Sequence, residues 1–291
     1  MTTGNILSNK EKKDYIKPLP EKLIKQYRGW KFSGFLKHKD LYQKLSMEGQ
    51  KPSAMIISCV DSRVQSTQIF DTEPGDFFIH RNIANLVPPY DRDSDNTGTA
   101  AALEFAVCGL KVSHIIILGH SGCGGIKNGY HLCKNDKKNA DLFFVNKWLS
   151  ILKPAFSKLS THSSDQSGIE ELEKTSIKIS IDNLIEFPFI KNELDAGTLS
   201  IHGLWHDIAS GNLEMLDPET MKFKDFNLFS GWRLFIIDRF LSSAAALLCI
   251  ESSWYSGSLN HSLAFSGEGN EKITALPSRG VDPSKVSTES S

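Results

Sequence analysis

Cys59, Asp61 and Arg63 alternate with Val60 and Ser62 in the stretch SCVDSRV at residues 58–64. In extended backbone alternate residues share a side, so a thiol, a carboxylate and a guanidinium would project together. Downstream, GHSGCGG puts His120 and Cys123 three residues apart on a glycine-rich turn, where an imidazole and a thiolate can face one ion. Cys59 adds a second sulfur. Two thiolates and one imidazole form a borderline-soft donor set that selects zinc over magnesium or calcium, one ion per chain. The fourth position is then filled by water or by the Asp61 carboxylate. Water makes such a site catalytic, whereas Asp61 bound directly would close it.

Zinc with two thiolates is formally neutral, so it acidifies bound water less than a three-histidine site does. An ionised Asp61 can accept the proton of zinc-bound water or hydroxide and aim a lone pair at substrate. Arg63 can hold Asp61 ionised and off the metal through a charge-assisted hydrogen bond. Other readings of the same residues stay open at this level. Cys59 and Cys123 could be ordinary buried residues, and Asp61 with Arg63 a structural ion pair. Cys59, Asp61, His120 and Cys123 together could form a purely structural zinc site. Ser121 sits in a near-match to the serine-hydrolase elbow, with Asp207 and His206 as later partners, but Cys123 stands where that elbow has glycine. His114, His131, His202 and His206 read as polar core or surface residues. Cys108, Cys133 and Cys249 lack metal-like spacing and read as structural.

The elements around these residues alternate. Helices are expected from EKLIKQYRGW, after Pro20, and from HKDLYQKLSMEG, stopped by Gly49. AMIISC (54–59) reads as a buried strand, FFIHRNIANLV (77–87) as a strand running into a loop, and GTAAALEFAVCGL (98–110) as a helix. SHIIILGH leads into the glycine-rich turn. DLFFVNKWLSIL is one helix inside a Lys/Asn/Ser-rich insertion at about 134–168. A helix near 170–195, a strand in TLSIHGLWHDI and a hairpin in GNLEMLD follow. The pattern predicts an α/β fold: a central, mainly parallel sheet flanked by helices, with an N-terminal helical arm. Ligands in such sheets sit beyond the carboxyl ends of strands, where SCVDSRV and GHSGCGG both lie.

A length of 291 residues allows two domains or one large α/β domain. Lys plus Arg (33) balances Asp plus Glu (34), which gives no electrostatic reason for a nucleic-acid or anionic-membrane partner and points to a small molecule. No signal-peptide pattern opens the chain. The apolar stretch from Trp232 to Ile250 carries Arg233, Asp238 and Arg239, so no transmembrane segment is expected. Five sparse cysteines argue for a reducing compartment, hence a cytoplasmic location. Residues 1–18 are expected to be disordered, 19–224 to form the zinc domain, and 225–291 to be a C-terminal extension with a disordered end.

CVDSRV, HRNIANLVPPY and GHSGCGGI, in this order and spacing, resemble the β-class carbonic anhydrases. The likeness extends through RGW, GQKPSAM, NLIEFPFI and GLWHDIASGNLEMLD, covering roughly residues 20–222. The resemblance implies a zinc lyase that interconverts carbon dioxide and bicarbonate by attack of zinc-bound hydroxide. It makes Cys59, His120 and Cys123 the ligands, and Asp61 with Arg63 the catalytic dyad. It puts Gln50, Phe78, Ile83 and Phe105 in the substrate pocket, Phe105 standing where many plant-type members have tyrosine. Ser62 and Gly122 serve loop geometry, and His80 is expected to be structural. Some members carry a bicarbonate site built on a tryptophan three residues before the first ligand. Here that residue is Ile56, so no such site is expected although Arg81 is present. The resemblance also implies a homodimer or higher homo-oligomer, embraced by an arm whose apolar side is Leu23, Ile24, Trp30, Phe32 and Phe35.

Overall fold

The computed structural model describes residues 12, 13, 15–93, 97–135, 141–161 and 164–226. The chain divides into two units, 1–230 and 231–291, and the second lies outside the described residues. The extension expected from 225 onward, with its Trp232–Ile250 stretch, therefore falls outside them except for Asp225 and Phe226. Most of the N-terminus expected to be disordered does too. Its described part includes a helical turn closed by the Ile16 N–H donating to the Lys12 carbonyl.

Three helices open the described chain: α1 (Glu21–Phe32), α2 (Gly34–Lys37) and α3 (Lys39–Glu48). None contains a buried residue. Trp30, Phe35 and Tyr42 cluster with ring centroids 5.5–6.3 Å apart, which bends the arm back on itself. Phe32 and Leu23 remain open to solvent.

Six strands follow: β1 (Ala54–Cys59), β2 (Phe77–Asn82), β3 (His114–His120), β4 (Ser200–His206), β5 (Leu213–Leu216) and β6 (Phe223–Asp225). They form one sheet in the order β2-β1-β3-β4-β5-β6. The first four are parallel and the last two antiparallel, β5 closing the expected hairpin onto β4. All six residues of β1 are buried, because it lies inside the sheet with both faces covered. Met55, Ile56 and Ile57 are fully removed from solvent, each burial stabilising by about 1.5–3 kcal/mol.

Between the strands lie α4 (Ser66–Ile69), α5 (Thr97–Glu104), α6 (Gly124–Asn135), α7 (Phe143–Leu149), α8 (Lys153–Phe156), α9 (Asp165–Ile185) and α10 (Pro188–Asp195). One face of the sheet packs Met55, Ile57, Ile115 and Ile117 against α5, α9 and α10. The other packs Ile56, Leu118 and Leu204 against Val64 and α4. The single helix expected at 170–195 is two helices. Phe187, just before Pro188, is extended at ψ 118, as the proline ring demands of its predecessor. The expected insertion carries its helix; α7, the 3-10 turn Ser150–Leu152 and α8 bury Leu149, Leu152 and Ala155 in the same apolar cluster as Cys59 and Cys123.

The chain runs from β1 outward to β2 and then returns to the far side of β1 as β3. The switch point of this doubly wound sheet lies between the carboxyl ends of β1 and β3. Cys59 ends the first and His120 ends the second.

Candidate metal centre and active site

β1 stops at Cys59 because the backbone then turns: the Val60 N–H still donates to Asn82, and the Val64 N–H closes a turn on the Asp61 carbonyl. Beyond β3, the Ser121 N–H donates to the His206 carbonyl, and Gly122 takes a φ of 64°, in the left-handed region that glycine enters without a side-chain clash. Cys123 follows and α6 starts at once. Through these two turns Cys59, His120 and Cys123 place one potential ligand atom each within 4.8 Å of one another. The two sulfurs are 3.9 Å apart. All three residues are buried.

The donor atoms are prepared for a cation. His120 Nδ1 lies 3.0 Å from the Ser121 carbonyl oxygen, which only accepts, so Nδ1 carries the proton and Nε2 the lone pair. That Nε2 is buried without a hydrogen-bond partner, a cost that a coordinated ion removes. The Cys59 thiol is pulled far below its ordinary value by its contact with Cys123, and backbone N–H groups of Asp61 and Ala84 assist. Cys123 is pushed up by the same contact and by burial, although N–H groups of Gly125 and Ile126 at the start of α6 face its sulfur. Two sulfurs 3.9 Å apart beside an imidazole nitrogen are a set that a borderline-soft cation occupies readily. These residues fit zinc, and Cys59, His120 and Cys123 would hold it.

Asp61 turns its carboxylate to Arg63. Arg63 Nε donates to Oδ1 at 2.9 Å and Nη2 to Oδ2 at 2.7 Å, while the Arg63 backbone N–H reaches Oδ1 at 3.0 Å. This grip holds the carboxyl well below the usual carboxylate range. Nη2 also donates to the Gly122 carbonyl at 3.1 Å, tying the dyad to the turn between His120 and Cys123.

Arg81 has a larger part than its sequence suggested. Its Nε donates to the Cys59 carbonyl at 3.0 Å, and its Nη2 to the carbonyls of Asp61 (2.7 Å) and Val64 (2.8 Å). The guanidinium therefore clamps the loop that carries Cys59, Asp61 and Arg63. The available signal was a charged side chain within the edge-strand run FFIHRN. Ile56, where a bicarbonate site of the kind some members carry would need tryptophan, is an ordinary fully buried core residue.

Ile83 packs in the apolar cluster of Cys59 and Cys123, against Gly125, where a side chain would come within 2.8 Å of it. Phe78 and Phe105 touch each other, ring centroids 5.8 Å apart, but they are not beside the ligands of their own chain. Phe78 pairs with Met55 and Asn82 with Cys59, so Phe78 lies four residues, about 13 Å, back along the strand. Gln50 precedes β1 at that same far end and is exposed. Gln50, Phe78 and Phe105 thus lie toward the N-terminal end of β1, away from Cys59, His120 and Cys123 of the same chain.

The hydrolase alternative fails on geometry. Ser121 Oγ donates directly to Asp207 Oδ1 at 2.8 Å and accepts the Ile208 N–H at 2.9 Å, with no imidazole between serine and carboxylate. His114 and His202 pair with each other at 3.1 Å, and His80 bonds Thr99 Oγ1 at 3.0 Å, as expected of polar structural residues. Cys108 and Cys133 are free thiols, and Cys249 lies outside the described residues.

Residues 54–213 match the family model for carbonic anhydrase. The chain is 31% identical to beta carbonic anhydrase 3 of Arabidopsis thaliana over 224 residues, which is 73% of this chain and 86% of that protein. Among solved structures it is similar to the β-carbonic anhydrase CcaA, at 32% identity and a TM-score of 0.63, over 70% of this chain and 91% of that one. It is also similar to a tetrameric β-carbonic anhydrase from Sordaria macrospora, at 28% identity and a TM-score of 0.56, over 67% of this chain and 94% of that one. With a buried Cys-His-Cys cluster at the switch point of the same fold, the chain belongs to the β-carbonic anhydrase family.

Proposed function

We propose that the chain hydrates carbon dioxide reversibly to bicarbonate and a proton at one zinc ion held by Cys59, His120 and Cys123. The observation that carries this reading is the orphaned His120 Nε2, buried within 4.8 Å of two cysteine sulfurs and next to a dyad that Arg63 holds together. Zinc, when bound, supplies a Lewis acid that makes water nucleophilic near neutral pH.

The chain's own groups do the rest. Asp61 accepts a hydrogen bond from the attacking oxygen, which aims the remaining lone pair at the carbon of carbon dioxide. Arg63 occupies both Asp61 oxygens, keeping them ionised and turned from the metal ligands, which favours the open, catalytic arrangement over the Asp-closed one. An apolar wall suits a small, uncharged substrate, and one amide donor suffices to orient the bicarbonate oxygen that gains charge.

Ile83 can supply that wall within the chain. Gln50, Phe78 and Phe105 supply the amide and the remaining wall to the site of a second copy, because they lie at the far end of β1 from their own ligands. The unburied arm α1, with exposed Trp30 and Phe32, gives such a homo-oligomer an apolar contact. The catalytic unit is assigned to residues 19–224, with 225–291 as an extension of unassigned role. Among the described residues no helix is long and apolar enough to cross a membrane. The free thiols suit a reducing compartment such as the cytoplasm.

The test is stopped-flow hydration of carbon dioxide from pH 6.5 to 9, with zinc measured on the same sample. One zinc per chain with turnover rising toward alkaline pH supports the reading. A well-folded sample with no zinc refutes it.

A further inference from the structure

Glu173 is a carboxylate in the core. It sits in the middle of α9 at 2% exposure, flanked on the buried stripe of that helix by Ile169, Leu172 and Ile177. An ionisable group buried there costs stability unless donors meet it. They do. The backbone N–H of Cys123 donates to Oε1 at 3.1 Å, the N–H of Gly122 also faces the carboxyl, and the Trp205 indole N–H reaches Oε2 at 3.3 Å.

The source of the two backbone donors is specific. Gly122, at φ 64°, stands in the left-handed conformation next to Cys123. A left-handed residue within a tight turn makes successive N–H groups converge into a concavity that binds an anion. In this chain the concavity is formed by the very turn that separates His120 from Cys123, and its anion is a side chain.

We propose that Glu173 is the internal anion that sets the metal-binding turn: by filling the concavity formed by the Gly122 and Cys123 N–H groups, it fixes the direction of the Cys123 side chain toward the ion. It is a positioning residue, acting on Cys123 through the backbone and touching neither ion nor substrate. The role deepens the reading of Cys59, His120 and Cys123 as zinc ligands and rests on it. Trp205 anchors the other end of the carboxylate. Lys174, one residue further on α9, lies over the Trp205 ring at 4.3 Å and pairs with Glu214, which holds the indole in place from outside.

Glu173→Gln keeps the shape but puts an amide donor where one of two opposed N–H groups needs an acceptor. Zinc affinity, measured by chelator competition, is expected to fall about tenfold, the range seen when supporting partners of metal ligands are removed. The cobalt-substituted protein is expected to show shifted thiolate charge-transfer and d–d bands. The double variant E173Q/W205F removes the competing indole donor, so the glutamine oxygen can serve the turn, and both readouts are expected to return toward wild type. In the wild-type zinc protein, where folding is not at risk, the Gly122 and Cys123 amide protons are expected to exchange slowly.

E173Q with wild-type zinc affinity and unchanged cobalt bands overturns this role, as does rapid exchange of those two amides. Wild-type protein that binds neither zinc nor cobalt refutes the metal reading, and this role falls with it. Wild-type binding with an unaffected E173Q refutes the role of Glu173 alone.

Discussion

Arg63 grips Asp61 with two parallel hydrogen bonds, Nε to Oδ1 at 2.9 Å and Nη2 to Oδ2 at 2.7 Å. A two-point contact of this kind fixes both the charge of the carboxylate and its orientation. Asp61→Asn keeps the shape but loses the negative acceptor. It is expected to retain one zinc per chain while turnover falls by about 10²–10⁴, the span of a lost general acid–base contribution. Zinc content and stopped-flow rate on one preparation decide it, and full activity would remove Asp61 from the mechanism.

Cys59 belongs to the core as much as to the site, since it packs at 4% exposure in the cluster that includes Cys123, Ile126 and Leu149. Cys59→Ser trades a thiolate for a harder hydroxyl and leaves His120 Nε2 without its ion. The variant is expected to purify without zinc and to melt well below the wild type, because metal binding is coupled to folding. Wild-type protein stripped by a chelator should approach the same lowered midpoint. A zinc-free variant that melts with the loaded wild type would contradict the coupling.

Arg81 satisfies three backbone carbonyls of the loop from Cys59 to Val64. Arg81→Met keeps the stem and removes the fork; the Asp61 carbonyl retains the Val64 N–H, while the Cys59 and Val64 carbonyls lose this donor. Each stranded group costs about 1–3 kcal/mol where water cannot reach it. Urea unfolding should show a loss of about 1–3 kcal/mol for each carbonyl left without a partner, with kcat falling alongside because the dyad loop loosens. Unchanged stability would mean that water replaces the guanidinium freely.

The position of Phe78 beside Met55, four residues from Cys59, makes the proposed pocket a property of two copies. Asp61→Asn and Gln50→Ala would then each cripple a site, but a mixed dimer of the two variants contains one site with both residues intact. Mixing the inactive variants under conditions of subunit exchange is expected to restore about a quarter of wild-type activity, since random pairing yields half mixed dimers with one good site each. No recovery would mean that Gln50 serves its own chain.

The motifs were legible because a buried apolar strand that ends in Cys, Asp and Arg has little use for them except at a site. AMIISC and SHIIILGH each run straight into such residues, and both form strands whose ends meet at the switch point. Placement within the pocket was not legible. FFIHRNIAN puts Phe78 two residues before the HRNIAN motif, yet only the β1–β2 register reveals which end of the sheet it occupies. The long helix expected near 170–195 hid a break whose cue, Pro188, was in plain view. Glu173 left a fainter trace, a carboxylate four residues after Ile169 and four before Ile177 on an otherwise apolar stripe. Its partners, two backbone N–H groups fifty residues away, leave no mark in residue types.

Acid should weaken the fold in two stages. Burial lowers the His80 imidazole below its ordinary 6.5, and burial together with the nearby His114 does the same to His202. Between the lowered folded value and 6.5, the unfolded chain binds protons that the folded chain refuses. Their contribution is therefore complete above pH 6.5 and is lost as pH falls through the folded values. Asp207 and Asp217, held down to about 2 from 3.8 by their hydrogen-bond partners, the Ser210 and Ser121 hydroxyls for one and Lys224 with backbone N–H groups for the other, lose theirs between those values. Melting midpoints of the zinc-loaded protein are expected to fall from pH 7.5 to 5.5 and again below pH 4. His202→Gln, which cannot take up a proton, should flatten the first step relative to wild type, the metal contribution cancelling in the comparison. A first step of unchanged size in the variant would remove His202 as its source.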